Sequence, residues 1–190
     1  MVAGADHVQP IAARIADMSR HNRCAPALLS IGHPSICTAI KAIIVARDFV
    51  LHSRDHKIQV FDLTCQPAVR QNTNQRDSTP KPALALHLSR AFADTDKMAS
   101  AASNGTAQKT QMPVVAGGDP DLIAKILAAQ VRERCAVTLE AKGPEATCIA
   151  MRAVCQARGL LEGDFLDIRC KPDYATKSMH ASVTPQTTRF

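Results

Sequence analysis

The sequence predicts an α+β fold, an α/β sandwich assembled from two tandem copies of one β-α-β-α-β-β unit. Three observations predict it: a long internal repeat, an order of helix and strand patterns that recurs within each copy, and one helix per copy that is apolar around more than one face. An offset of 111 residues carries Cys24 to Cys135, Gly32 to Gly143, Cys37 to Cys148, Ala39 to Ala150, Lys41 to Arg152 and Ala46-Arg47 to Ala157-Arg158. After a longer loop in the first copy the offset falls to 105, and Cys65-Gln66-Pro67 meets Cys170-Lys171-Pro172. Upstream, Val2-Ala3-Gly4 echoes Val115-Ala116-Gly117. A repeat this long is a domain rather than a solenoid unit, so each copy is expected to carry its own sheet.

The elements follow in order. Ile11, Ile15 and Met18 share one face of a helix in the first copy, and Leu122, Ile123, Ile126, Leu127 and Val131 do so in the second. Asp119-Pro120 supplies the cap and first helical position of the latter. Short strands come next, at Ala27–Ile31 and Val137–Ala141. Gly32-His33-Pro34 and Gly143-Pro144-Glu145 turn the chain into a second helix. Third strands are read from Ile58, Val60, Phe61 and Leu63 and from Phe165, Leu166 and Ile168, and last strands at 83–88 and 179–183. Residues 91–112 are small, polar and aperiodic, and read as a flexible linker. As a coil it averages roughly 25 Å end to end, about one domain's width. The expected organisation is domain one at 1–90, linker at 91–112, domain two at 113–185 and a tail at 186–190.

The second helix carries the most information. From Ile36 to Ala46 its only charge is Lys41, while Ile36, Ala39, Ile40, Ile43, Ile44 and Val45 cover more than one face. Packing on one sheet needs roughly a 100° apolar stripe. The equivalent helix offers Cys148, Ile149, Ala150, Met151, Val154 and Cys155. The two helices are therefore expected to face each other in an intramolecular pseudo-dimer, paired through Ile36, Ile40, Ile44, Cys148, Met151 and Cys155.

Composition narrows the function. Of 190 residues, 46% are apolar and 21% charged, as in a globular protein, and the formal net charge is +6. Aromatic residues make up 3%, with no Trp and one Tyr, Tyr174, which argues against a base-stacking reader of single strands. No apolar run reaches a membrane span, and the N-terminal stretch with Asp6 and Asp17 does not resemble a signal peptide. Seven Cys without a CxxC pair point to a reducing, intracellular setting: cytoplasmic, with nuclear or cytoskeletal association open.

Residues 114–135, 143–161 and 168–174 resemble the Stage V sporulation protein S family of the Alba-like superfamily. The family's helix pattern is met by Gly143, Ala146, Ala150, Arg152, Ala153, Ala157, Arg158 and Gly159. The first copy fits it at 32–50, with Lys41 kept and Asp48 where the family has Gly. The Pro-containing turn is met by Pro172 and Pro67. The resemblance implies a β-α-β-α-β-β sandwich, self-association and, for Alba-like proteins generally, nucleic-acid binding without catalysis. The family's first loop usually offers a Lys; here Gly117 stands there, followed by Asp119 and Asp121. The second loop keeps one cation, Lys142, where the first copy has Ile31.

Charge is uneven. Residues 1–90 hold 11 Lys/Arg against 6 Asp/Glu, residues 91–112 hold 2 of each, and residues 113–190 hold 10 against 9. The loop at 70–81 is basic, with Arg70, Arg76 and Lys81, and such a hairpin arm suits phosphate contacts. His52 and His56 have HxxxH spacing but fall in a loop around Arg54, so no metal site is expected. The recurrent cysteines read as small buried hydrophobes. Asp119 reads as capping its own helix rather than leaving an anion site. Lys41 and Arg152 read as snorkelling or pairing with an acid across the helix interface. No GxSxG, HExxH, paired-carboxylate or GxGxxG pattern occurs, so neither enzyme chemistry nor a cofactor is expected.

The leading expectation is a non-enzymatic binder of RNA or DNA, through a basic stripe of Arg70, Arg76, Lys81, Lys142, Lys171 and Lys177. The alternative is a structural adaptor without nucleic-acid binding, held by protein partners in a larger assembly such as a cytoskeletal or axonemal one. No membrane partner is expected.

Overall fold

A computed structural model describes residues 7–21, 26–52, 61–70, 83–92, 110–175 and 178–187. The first half of the chain carries α1 (Val8–His21), β1 (Ala27–Ile31), α2 (His33–Leu51), β2 (Phe61–Val69) and β3 (Ala83–Phe92). The second carries β4 (Thr110–Val114), α3 (Pro120–Arg132), β5 (Val137–Ala141), α4 (Gly143–Leu161), a 3₁₀ turn (Glu162–Asp164), β6 (Leu166–Ala175) and β7 (Ser178–Thr187). The fold mixes helix and strand, as expected for α+β.

The expectation of a separate sheet for each half is not met. The seven strands of the described residues form one sheet, in the order β1-β3-β2-β6-β7-β5-β4. Every neighbouring pair is antiparallel except β4 and β5. The halves join edge to edge at β2 and β6, through a single bridge between Cys65 and Cys170. An unpaired strand edge leaves N–H and C=O groups without partners, and two such edges brought together satisfy one another.

The local chemistry explains why the bridge stays single. The Arg70 amide donates to Ala83, so even-numbered residues of β2 point their backbone at β3. Odd-numbered residues therefore point theirs at β6. Cys65 does so with an intact N–H, but Pro67 has none, and neither has Pro172 on β6. The ladder ends where its donors end.

The helices α2 and α4 pack side by side beside this joint. Ile36, Ile40, Ile44, Cys148 and Met151 are buried, and Cys155 is half-buried. Helix α2 also meets α1, β1, β2 and β6, and α4 meets α3, β2, β4, β5 and β6. A helix with neighbours on several sides needs apolar residues on several sides. Phe61, Leu63 and Cys65 of β2 and Ile168 and Cys170 of β6 join the same core. Fully burying a large aliphatic side chain is worth about 1.5–3 kcal/mol, so this core dominates stability.

Element boundaries differ from expectation at the linker. β3 runs on to Phe92, and β4 begins at Thr110, inside the stretch read as linker. Among the described strands β4 lies at the sheet edge and pairs with β5, with Met112 and Val114 as its apolar residues, so its sequence carries little strand pattern. The expected first strand of the first half, the start of the third strand at Ile58 and the His56 end of the HxxxH spacing lie outside the described residues.

Both second helices are entered through a glycine at positive φ, Gly32 at 82° and Gly143 at 86°. A Cβ added at either would meet nothing within 4 Å, so its cost is backbone strain alone. Gly32→Ala and Gly143→Ala are each expected to cost about 1–2 kcal/mol. Gly159 sits in ordinary helix with equally open surroundings, and Gly159→Ala is expected to be neutral or stabilising by up to about 1 kcal/mol. Denaturant melts of the three variants check the contrast.

Candidate nucleic-acid interface

The polar site with the most internal organisation is the seam itself. Arg47, near the end of α2, donates from Nε to Asp62 Oδ1 at 2.8 Å and from Nη2 to Oδ2 at 2.9 Å. Its Nη1 donates to the carbonyl of Pro172, in the other half. Arg158, near the end of α4, donates to both oxygens of Asp167 at 2.7 and 3.2 Å. Its Nη1 donates to the carbonyl of Pro67 at 2.8 Å, again in the other half. Gln66 of the first half donates to Asp167 Oδ2 at 2.7 Å, and Lys171 Nζ of the second lies 3.8 Å from Asp62 Oδ2. Each of these contacts across the seam has a counterpart running the opposite way.

The reason for arginine is geometric. A planar guanidinium presents a fork to a carboxylate and still has an N–H for a third acceptor. Proline leaves its carbonyl available at the seam while withholding the donor that would extend the ladder. Each arginine caps one such carbonyl and neutralises its own aspartate.

The environment sets the ionisation. Burial opposes the charge on Arg47, but hydrogen bonding and the charge of Asp62 outweigh it and raise its pKa. Arg158 is raised chiefly by its hydrogen bonds to Asp167, against burial. Burial favours the neutral form of Asp167, and Arg158, the Ile168 amide and Gln66 together overcome it, holding the carboxyl below the usual range. The Cys170 thiol is pushed well up by its hydrogen bond with Cys65 and by complete burial, which favours its neutral form.

The six expected phosphate-contacting cations fall into three groups. Arg70 and Lys142 are exposed. Lys171 is 18% exposed beside Asp62, so its charge is directed into the seam. Arg76, Lys81 and Lys177 lie outside the described residues. At the first loop of the second half, Asp119 Oδ1 accepts from the Asp121 amide at 2.9 Å and Glu145 Oε1 from the Gly117 amide at 3.1 Å. Two carboxylates thus occupy donors that an anionic ligand would need. Lys41 is half-buried and Arg152 exposed.

Sequence reasoning passed over the two Arg–Asp pairs. Partners lie 15 and 9 residues apart, and each arginine's accepting carbonyl lies 125 or 91 residues away, so no local motif marks them. A signal existed in the repeat: Arg47 and Arg158, Asp62 and Asp167, and Pro67 and Pro172 all recur at the two offsets.

Among the described residues, no group of three or more His, Cys, Asp or Glu is arranged to hold a metal, and no helix is long and apolar enough to cross a membrane. Comparison with curated proteins finds no match.

Two outcomes follow from the seam. Arg47 and Asp62 are 12% and 16% exposed, against 26% and 29% for Arg158 and Asp167. Arg47→Met is therefore expected to destabilise more than Arg158→Met, approaching the roughly 3–5 kcal/mol that follows when a buried charge is left without its partner. Denaturant melts with an Asp62→Asn double-mutant cycle measure it. The depressed Asp167 carboxyl contributes stability that is complete above the unfolded aspartate value of about 3.8 and is lost as pH falls through the lower folded value. Thermal midpoints of Asp167→Asn are expected to fall less steeply below that pH than those of the wild type.

The family model of Stage V sporulation protein S (SpoVS) matches residues 110–187, which supports one SpoVS domain in the second half of the chain.

Proposed function

We propose that the chain is a tandem duplication of one SpoVS-like, Alba-like module, that its halves form an intramolecular pseudo-dimer, and that the pair is a non-enzymatic nucleic-acid binder. The observation that carries the duplication is the reciprocal seam. An isologous interface is one in which residue i of one subunit meets j of the other while j meets i. Arg47 with Pro172 and Arg158 with Pro67 have that relation within one chain. The shared order of elements about the Cys65–Cys170 bridge and the buried α2–α4 contact support the same reading.

Nucleic-acid binding is supported by the net charge of +6 and by its concentration in the first half. Exposed Arg70 opens the basic 70–81 loop, and exposed Lys142 stands at the N-terminus of α4. Phosphate contact is assigned to Arg70, Arg76, Lys81, Lys142 and Lys177. Lys171 is left out because Asp62 holds it. The first loops contribute nothing, since their carboxylates repel phosphate.

One observation favours the adaptor reading. Leu29 and Ile31 of β1 are 57% and 41% exposed, where the same offset puts Glu140 and Lys142 in the second half. Exposed apolar residues in place of charged ones suit a protein contact.

Fluorescence anisotropy with labelled single-stranded RNA and duplex DNA at low salt tests the nucleic-acid reading. Saturable binding is expected, weakening with salt. Arg70→Glu and Lys142→Glu should each reduce the log–log salt slope by about 0.7–0.9 for every phosphate no longer neutralised. A flat titration with both probes removes the reading. Proteins that co-purify after nuclease treatment would then favour the adaptor.

A further inference from the structure

A cleft of about 380 Å³ opens at one end of the seam, lined in part by Val69 at the end of β2 and by Cys155, Arg158 and Gly159 of α4. Glu162, Leu166 and Asp167 also line it. Val69 belongs to the first half and Cys155 to the second, so both halves contribute to the cleft wall.

The repeat supplies an internal comparison. On the opposite side of the Cys65–Cys170 bridge the same offsets put Tyr174 in the place of Val69, Asp48 in that of Gly159, Ile44 in that of Cys155 and Phe61 in that of Leu166. Ile44 and Phe61 are buried. Tyr174 is half exposed, and partial burial, then the charges of Cys37 and Asp48 on α2, raise the pKa of its phenol. One side of the seam therefore carries Tyr174, half exposed. On the other, valine and glycine stand where tyrosine and aspartate would, and a cleft remains with the exposed Phe165 ring in its wall.

Charge selects among occupants. Arg158 is committed to Asp167 and to the Pro67 carbonyl, and its charge is matched there. Glu162, exposed, is the charge left over in the lining. A phosphate would meet that carboxylate, whereas a cation would pair with it.

We propose that this cleft receives an aromatic side chain, tyrosine or phenylalanine, presented by a partner protein with a lysine or arginine beside it. The ring takes the place that Tyr174 holds on the opposite side, and the flanking cation meets Glu162. Aromatic residues seated in a partner's pocket are the usual anchors of protein interfaces. The occupant is a protein segment, and the inference stands independently of nucleic-acid binding elsewhere on the chain.

The test is an NMR titration of the full-length protein with the tripeptide Ac-Lys-Tyr-Lys-NH2, followed at backbone amides. Saturable shifts are expected at Val69, Gly159 and Leu166. Ac-Lys-Ala-Lys-NH2 should bind at least tenfold more weakly. Val69→Tyr fills the cleft from within, and is expected to keep or raise the thermal midpoint while weakening the tyrosine peptide at least tenfold. Gly159→Leu, on the opposite wall, should weaken it likewise and serves if the first variant does not fold. Glu162→Gln should weaken the tyrosine and alanine peptides by a similar factor. Equal binding of the alanine peptide, or undiminished binding to a folded cleft-filling variant, overturns the proposal. Tighter shifts at the same amides from an oligouridylate would overturn it in favour of a nucleobase.

Discussion

Two backbone positions at the centre of the sheet lack a hydrogen-bond donor, and the arrangement of the seam follows from that. Pro67 and Pro172 interrupt the β2–β6 ladder on either side of the Cys65–Cys170 bridge, leaving carbonyls that would otherwise be buried without partners. Arg47 and Arg158 supply those partners from the other half of the chain. An arginine brought this far from water requires a counter-ion, which Asp62 and Asp167 provide from the starts of the two seam strands. The missing donor, the guanidinium fork and the paired carboxylate form one device, used twice. Separating the halves would expose both arginines' acceptors together with Ile36, Ile40 and Met151, so polar and apolar terms act in the same direction.

Much of the fold was legible from periodicity. The strands at Ala27–Ile31 and Val137–Ala141 have the expected bounds, and the all-round apolar character of α2 correctly indicated neighbours on more than one side. Edges were the least legible part. β4 carries Thr110, Gln111 and Pro113, which read as linker because an edge strand beside one neighbour needs no full apolar face. The merger of two sheets into one left no composition signal, since the strands meeting at the seam alternate as any half-buried strand does. What marked the seam was the placement of two prolines at equivalent positions, and their significance depends on which way the flanking N–H groups point. The Arg–Asp pairs were visible only as recurrences, because their partners are too far apart in sequence for a spacing rule to connect them.

Electrostatics divides the molecule more sharply than its net charge indicates. Several cations are consumed internally: Arg47, Arg158 and Lys171 by the seam, and Arg132 by Asp164 at 2.7 Å. A basic count taken from sequence overstates the charge a polyanion would meet. The carboxylates of Asp119 and Glu145 also occupy backbone donors at the entrance to α3.

Reciprocity at the seam and divergence elsewhere have the same explanation if the chain is a duplication. Residues that hold two copies together are constrained in both copies, because each arginine serves the other half's carbonyl and neither can change alone without stranding a buried group. Positions away from that exchange are free to differ. Leu29 and Ile31 stand against Glu140 and Lys142, and Val69 and Gly159 against Tyr174 and Asp48. Fusing two identical units into one chain removes the requirement that both surfaces be the same, which a symmetric homodimer cannot escape. On this argument, specificity belongs in the positions where the two halves disagree, and the seam supplies the rigid frame that holds those positions in place.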